Sequence, residues 1–111
     1  MDIGIDIEKI GRFKLKRDAA LIKNIFTKKE IEYCYSKTKP QMHLCGVFCT
    51  KEAVKKTMQQ KGISLKDIEV THAKNGKPTV KLHGPKNSKI SFLVSISHTD
   101  EYAVATAIRT P

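Results

Sequence analysis

The chain has 111 residues and a mass of 12.5 kDa, the size of one domain, read here as spanning residues 1–111. Hydrophobic residues make up 40% and charged residues 29%, which excludes wholesale disorder, and no apolar run approaches the roughly 18 residues of a membrane span. The formal net charge of +10 calls for an anionic partner: nucleic acid, a phosphorylated small molecule, an acidic protein or anionic lipid.

The opening MDIGIDIEKI is acidic where a secretory leader is basic, so the chain reads as cytoplasmic. Residues 2–8 alternate. Ile3, Ile5 and Ile7 fall on one face of a strand, and Asp2, Gly4, Asp6 and Glu8 fall on the other. Ile10, Phe13, Leu21, Ile22, Ile25 and Phe26 predict an apolar helix stripe over 10–26. Between Lys9 and Lys29 lie eight basic residues against one acid, Asp18. Thr27 with Glu30 forms a capping box for a second helix through Ser36. Pro40 opens a third helix running to about Gln60, with Gly62 as its stop. The remainder reads as β. Asp67–Ala73 and Pro78–Leu82 form a hairpin about Asn75-Gly76, and Ile90–Ser97 and Tyr102–Ile108 flank the short turn His98–Glu101. Ala103, Ala105 and Ala107 make a face of small side chains suited to close helix packing. The expected class is α+β, an antiparallel sheet with packed helices.

Several residues could carry chemistry. Asp6 and Glu8, two apart on a strand, point the same way and either offer oxygens to Mg²⁺ or form a solvated face. In KEAVKK, Glu52 and Lys56 stack at i and i+4, nearly in line with Cys45 and Cys49, and read locally as a helical ion pair. His98 in SISHT closes a strand beside the hydroxyls of Ser97 and Thr99. Cys34, Cys45 and Cys49 are an odd number and make no disulfide framework. His43, Cys45 and Cys49 lack the paired spacing of a zinc site. Neither glycine-rich phosphate loop, GxGxxG or GxxxxGK[ST], occurs, nor does the GxSxG elbow. The basic stretch could track phosphates, but aromatics are only 6% and no RNA-binding motif accompanies it.

Taken in order, GIDIEKI, FTKKEIEYC, FCTKEAVKK, NGKPTV and VSISHTDEYAVATAI resemble the holo-acyl-carrier-protein synthases, the small bacterial 4′-phosphopantetheinyl transferases, over nearly the whole chain. The resemblance implies transfer of the phosphopantetheine arm of coenzyme A to a serine of an acidic apo acyl carrier protein. It implies Mg²⁺ on Asp6 and Glu52, with Lys56 beside the pyrophosphate. It implies contact of His98 and Thr99 with the adenosine 3′-phosphate, and places Lys77 and Pro78 beside the coenzyme A cleft. Arg12, with Lys16 and Arg17, would meet the acids of the carrier protein. A homotrimer with sites between subunits is also implied; neither nucleic acid nor a membrane is needed. Two departures stand out. Val47 replaces an arginine common in the family, so one phosphate ligand is either missing or replaced by Lys39 or another base. Glu8 is an acid where small members usually have none, and is a candidate third metal ligand. The rival reading is a non-catalytic basic module for RNA or an acidic protein, which has no use for Asp6 and Glu52.

Overall fold

The first strand, β1, spans Asp2–Lys9 and pairs along its length with the last, β5 (Tyr102–Thr110), which pairs on its other edge with β4 (Ser91–His98). All three are antiparallel, with Gly4 opposite Ala107, Asp6 opposite Ala105 and Glu8 opposite Ala103. These statements come from a computed structural model that describes residues 1–58, 62–84 and 89–111. A separate hairpin is formed by β2 (Ile68–His72) and β3 (Pro78–Leu82), so the single sheet expected from sequence is two. Its turn is closed by Gly76 donating to the Ala73 carbonyl at 2.8 Å, and Gly76 takes φ 87°, a conformation open to glycine.

The α+β class stands, but the predicted helix over 10–26 does not. Ile10–Phe13 is a 3-10 turn, Lys14–Ala19 is irregular, and only Ala20–Ile25 is helical (α1). Phe13 and Ile22 are nine residues apart, so a continuous helix would set them about 180° apart. Breaking the helix lets both enter one core, where they are 1% and 0% exposed. α2 runs Lys28–Tyr35 behind the predicted capping box, whose two reciprocal hydrogen bonds are both made. α3 begins at Pro40 as expected but ends at Thr57, earlier than predicted, with Met58 extended and donating to the Lys55 carbonyl. Gln59 and Gln60 lie outside the described residues.

α3 crosses the three-stranded sheet on a layer of small residues. Ala103, Ala105 and Ala107 are buried beneath it. Gly4 meets it so closely that a Cβ built there would stand 2.0 Å from the Ala53 carbonyl oxygen, and one on Gly46 would stand 3.0 Å from Ile96 Cγ2. The packing decides which face of β1 turns inward. Its Gly/Asp/Glu face is the one against the helix, while Ile3, Ile5 and Ile7 are 71%, 61% and 62% exposed. Leu93 of β4 lies exposed on that same outer face, beside Ile108.

Glu30 and Lys51 tie the layers together. Both side chains are fully buried and their charges meet at 2.6 Å. Lys51 Nζ also donates to the carbonyls of Leu65 and Ile68, both at 2.8 Å, and Glu30 accepts from the Val70 amide at 2.7 Å. All three ammonium protons are therefore engaged, as a buried cation requires. Burial still pulls the Lys51 pKa below the usual lysine value, despite the opposing pull of Glu30.

Candidate active site

The close approach at Gly4 sets the geometry. Because β1 has no side chain there, α3 brings Lys56 onto the strand, and its Nζ donates to the Ile5 carbonyl at 2.7 Å and to Asp6 Oδ1 at 3.2 Å. Glu52, one turn earlier on α3, lies on the same face as Lys56. Lys56 thus pairs with Asp6 rather than with Glu52, and Glu52 has no ion pair among the described residues. The Asp6 side chain is 18% exposed, and its Oδ2 is buried without a hydrogen-bond partner among the described residues. A buried carboxylate oxygen left unpaired is costly. One directed at a cation is not, so the donor set fits a hard metal ion held by one or two carboxylates.

Glu8 is engaged differently. Its carboxylate pairs with Arg12 and accepts the Lys9 amide at 3.0 Å. Among the described residues, no group of three or more His, Cys, Asp or Glu side chains is placed to hold a metal ion. The cysteines are free and buried. Cys45 donates to the Glu8 carbonyl at 3.6 Å and Cys49 to the Ala103 carbonyl at 3.5 Å, pinning α3 to β1 and β5. The hydrogen bond with Cys45, then burial and the nearby Asp6 charge, push the Cys49 thiol far up. Burial, with Glu30, pushes Cys34 up to about 12. Both shifts disfavour the thiolate, the nucleophilic form of cysteine.

On the other side of α3 lies a cleft of about 240 Å³ lined by Tyr33, His43, Val47, His72, Pro78 and His98, among others. It brings together two predicted residues, His98 and Pro78, with the departure at Val47. His98 ends β4, exposed, its Nδ1 3.3 Å from the Thr99 carbonyl. The Thr99 hydroxyl accepts from the amides of Glu101 (3.2 Å) and Tyr102 (3.0 Å), so it builds the β4–β5 turn that presents His98. Lys77 is exposed, and its amide donates to Asn75 Oδ1 at 3.0 Å within the hairpin turn. Lys39 caps α3 at an exposed position and does not line the cleft. The base beside it is Lys37, whose ammonium lies 4.7 Å from the Tyr33 ring centre. Sequence reasoning missed Tyr33, Lys37 and His72, and considered His43 only for zinc.

Arg12 is half exposed, over Phe13 and Phe48 at 5.8 and 5.6 Å. Lys16 and Arg17 sit on the irregular segment after it, both exposed. Lys16 borders an open hollow with Phe13, Leu15 and Tyr35.

Residues 2–107 match the model of the 4′-phosphopantetheinyl transferase superfamily. A holo-[acyl-carrier-protein] synthase of Caldicellulosiruptor saccharolyticus is 44% identical, over 96% of this chain and 94% of that protein. Among solved structures, the Helicobacter pylori holo-[acyl-carrier-protein] synthase in complex with coenzyme A superposes with a TM-score of 0.85 at 30% identity, covering 98% of this chain and 100% of that one. The Bacillus anthracis holo-(acyl-carrier-protein) synthase gives 0.81 at 29% identity, covering 96% and 93%.

Proposed function

The chain belongs to the holo-acyl-carrier-protein synthase family of 4′-phosphopantetheinyl transferases, and from that premise we propose that it moves the 4′-phosphopantetheine arm of coenzyme A to a serine of an acidic apo acyl carrier protein, in a Mg²⁺-dependent step of fatty acid biosynthesis. The by-product is adenosine 3′,5′-bisphosphate. The observation that carries the metal assignment is the unpartnered, buried Asp6 Oδ2 beside Lys56, at the crossing of β1 and α3.

Asp6 and Glu52 are the carboxylates that would hold Mg²⁺, which when bound neutralises charge on the coenzyme A pyrophosphate. Lys56 spends two donors on Ile5 and Asp6 and has a third for a pyrophosphate oxygen, where negative charge grows as the bond to phosphorus breaks. The attacking hydroxyl comes from the carrier protein. His98 meets the adenosine 3′-phosphate from the turn that Thr99 builds. Arg12, with Lys16 and Arg17, meets the acidic face of the carrier protein. The assembly proposed is a homotrimer with sites between subunits; the outer face of Ile3, Ile5, Ile7 and Leu93, which a lone copy would leave in water, supports self-association.

The test is transfer rate against Mg²⁺ concentration for wild type, Asp6→Asn and Glu52→Gln. Both variants should remain folded and lose activity by about 10²-fold or more, the scale of removing one preorganised electrostatic group. Wild-type rates and Mg²⁺ dependence in both would reject the assignment.

A further inference from the structure

Three of the four histidines of the chain, His43, His72 and His98, line the one cleft described above, and they reach it from three elements: α3, β2 and the end of β4. The fourth, His83, lies elsewhere, 3.2 Å from Glu69. Tyr33 of α2 holds two of the three in place. The His72 ring stacks on it at 4.0 Å between centroids and 7° between planes, and His43 stands edge-on at 6.0 Å and 83°. No hydrogen bond is made by the ring nitrogens of His43 or His72 among the described residues. The charged and titratable groups around them are Tyr33, the Lys37 ammonium above the Tyr33 ring, and the imidazoles themselves. No aspartate or glutamate among the described residues lines the cleft.

The surroundings of His43 and His72 disfavour their protonated forms. Partial burial first, then the Lys37 and His98 charges, lower the His43 pKa, and burial, then His43 and Lys37, lower that of His72. An entering phosphate monoester reverses the sign of the local field. It is close to dianionic above about pH 7, its second pKa lying near 6, and it favours imidazolium in each ring it faces.

We infer that His43 and His72, beside His98 in one cleft, form a proton-accepting pair for the phosphate monoester of coenzyme A, so that coenzyme A binds together with protons. The inference rests on the coenzyme A reading above and adds two residues and a pH dependence to it. Val47, buried in the wall of the same cleft, offers no charge of its own, and the imidazoles supply it only when the ligand is present. Each proton taken up makes affinity change by about tenfold per pH unit.

The test is calorimetric titration of wild type with coenzyme A and with dephospho-coenzyme A, which lacks the monoester. It is run at pH 7.5 in two buffers of different ionisation enthalpy. Uptake of about one proton is expected with coenzyme A and almost none with the dephospho form, with a Kd that weakens about tenfold from pH 7 to 8. A His43→Gln/His72→Phe variant, which keeps an aromatic ring stacked on Tyr33, should lose at least half of that uptake. Coenzyme A binding without proton uptake, equal uptake with the dephospho form, or full uptake in the folded variant would overturn the inference while leaving the proposed function standing. Failure of wild type to bind coenzyme A would overturn both. If the double variant does not fold, His43→Gln and His72→Phe are measured singly, and full uptake in both would overturn the inference.

Discussion

Gly4→Ala is the smallest change that should separate the two halves of the site. The added Cβ would lie 2.0 Å from the Ala53 carbonyl oxygen, 2.9 Å from its carbon and 3.2 Å from Lys56 Cβ. The nearest obstacles are helix backbone, which cannot swing aside like a side chain. Relieving the clash means moving α3 off β1 by about 1 Å or more, an overpacking cost of about 1–3 kcal/mol. Against this stands a gain of about 0.4–1 kcal/mol from a less flexible unfolded chain, since the φ of Gly4 is not positive and alanine can adopt it. The net expectation is a loss of about 1–2 kcal/mol. The larger effect should be catalytic, because the same displacement carries Lys56 and Glu52 away from Asp6, and a misplacement of about 1 Å can cost about 10²-fold in rate. The assay is urea denaturation together with transfer kinetics. Gly11→Ala is the control, since a Cβ there meets nothing within 4 Å. If Gly4→Ala behaved like Gly11→Ala in both measurements, the claim that a missing side chain positions the site would be wrong.

Lys51→Met leaves the Glu30 carboxylate buried without its partner and should cost about 3–5 kcal/mol in denaturant unfolding, with a loss under about 1 kcal/mol arguing against the ion pair. Ile5→Glu places a charge on the exposed apolar face without touching α3; light scattering should show smaller particles than wild type, and an unchanged mass would remove that face from the assembly. His43 and His72 titrate below their unfolded value of 6.5, so beneath that pH the unfolded chain holds more protons than the folded one. Their contribution to stability is therefore present above pH 6.5 and lost as pH falls through their folded pKa values. The melting temperature should fall less steeply over that range in His43→Gln/His72→Phe than in wild type, and parallel curves would refute the linkage.

Where local chemistry decides a conformation, the sequence was a sufficient guide. Thr27 and Glu30 make the capping box that their spacing suggested, Pro40 opens α3, and Asn75-Gly76 turns the hairpin. Where tertiary packing decides, it was not. The stripe over 10–26 contained the right apolar residues, but Phe13 and Ile22 can share a core only if the helix breaks between them. The alternation in β1 was plain, yet not which face the helix would cover, because Gly4 acts through a side chain it lacks. Asp6 and Lys56 are fifty positions apart, and only the family resemblance joined them before the structure did. The cleft was the least legible feature. Tyr33, His43, His72 and His98 share no single motif, and they meet only because α2, α3, β2 and β4 pack around one space.

The central claim is that this chain transfers phosphopantetheine through a metal held by Asp6 and Glu52. Intact-mass measurement of an apo acyl carrier protein incubated with coenzyme A and the purified protein tests it most directly, with Mg²⁺ and with EDTA. The account predicts that the carrier protein gains the mass of one phosphopantetheine arm with Mg²⁺ and gains nothing with EDTA. An unmodified carrier protein in the presence of folded enzyme and Mg²⁺, across several carrier proteins, would contradict the activity, and an equal gain in EDTA would contradict the metal.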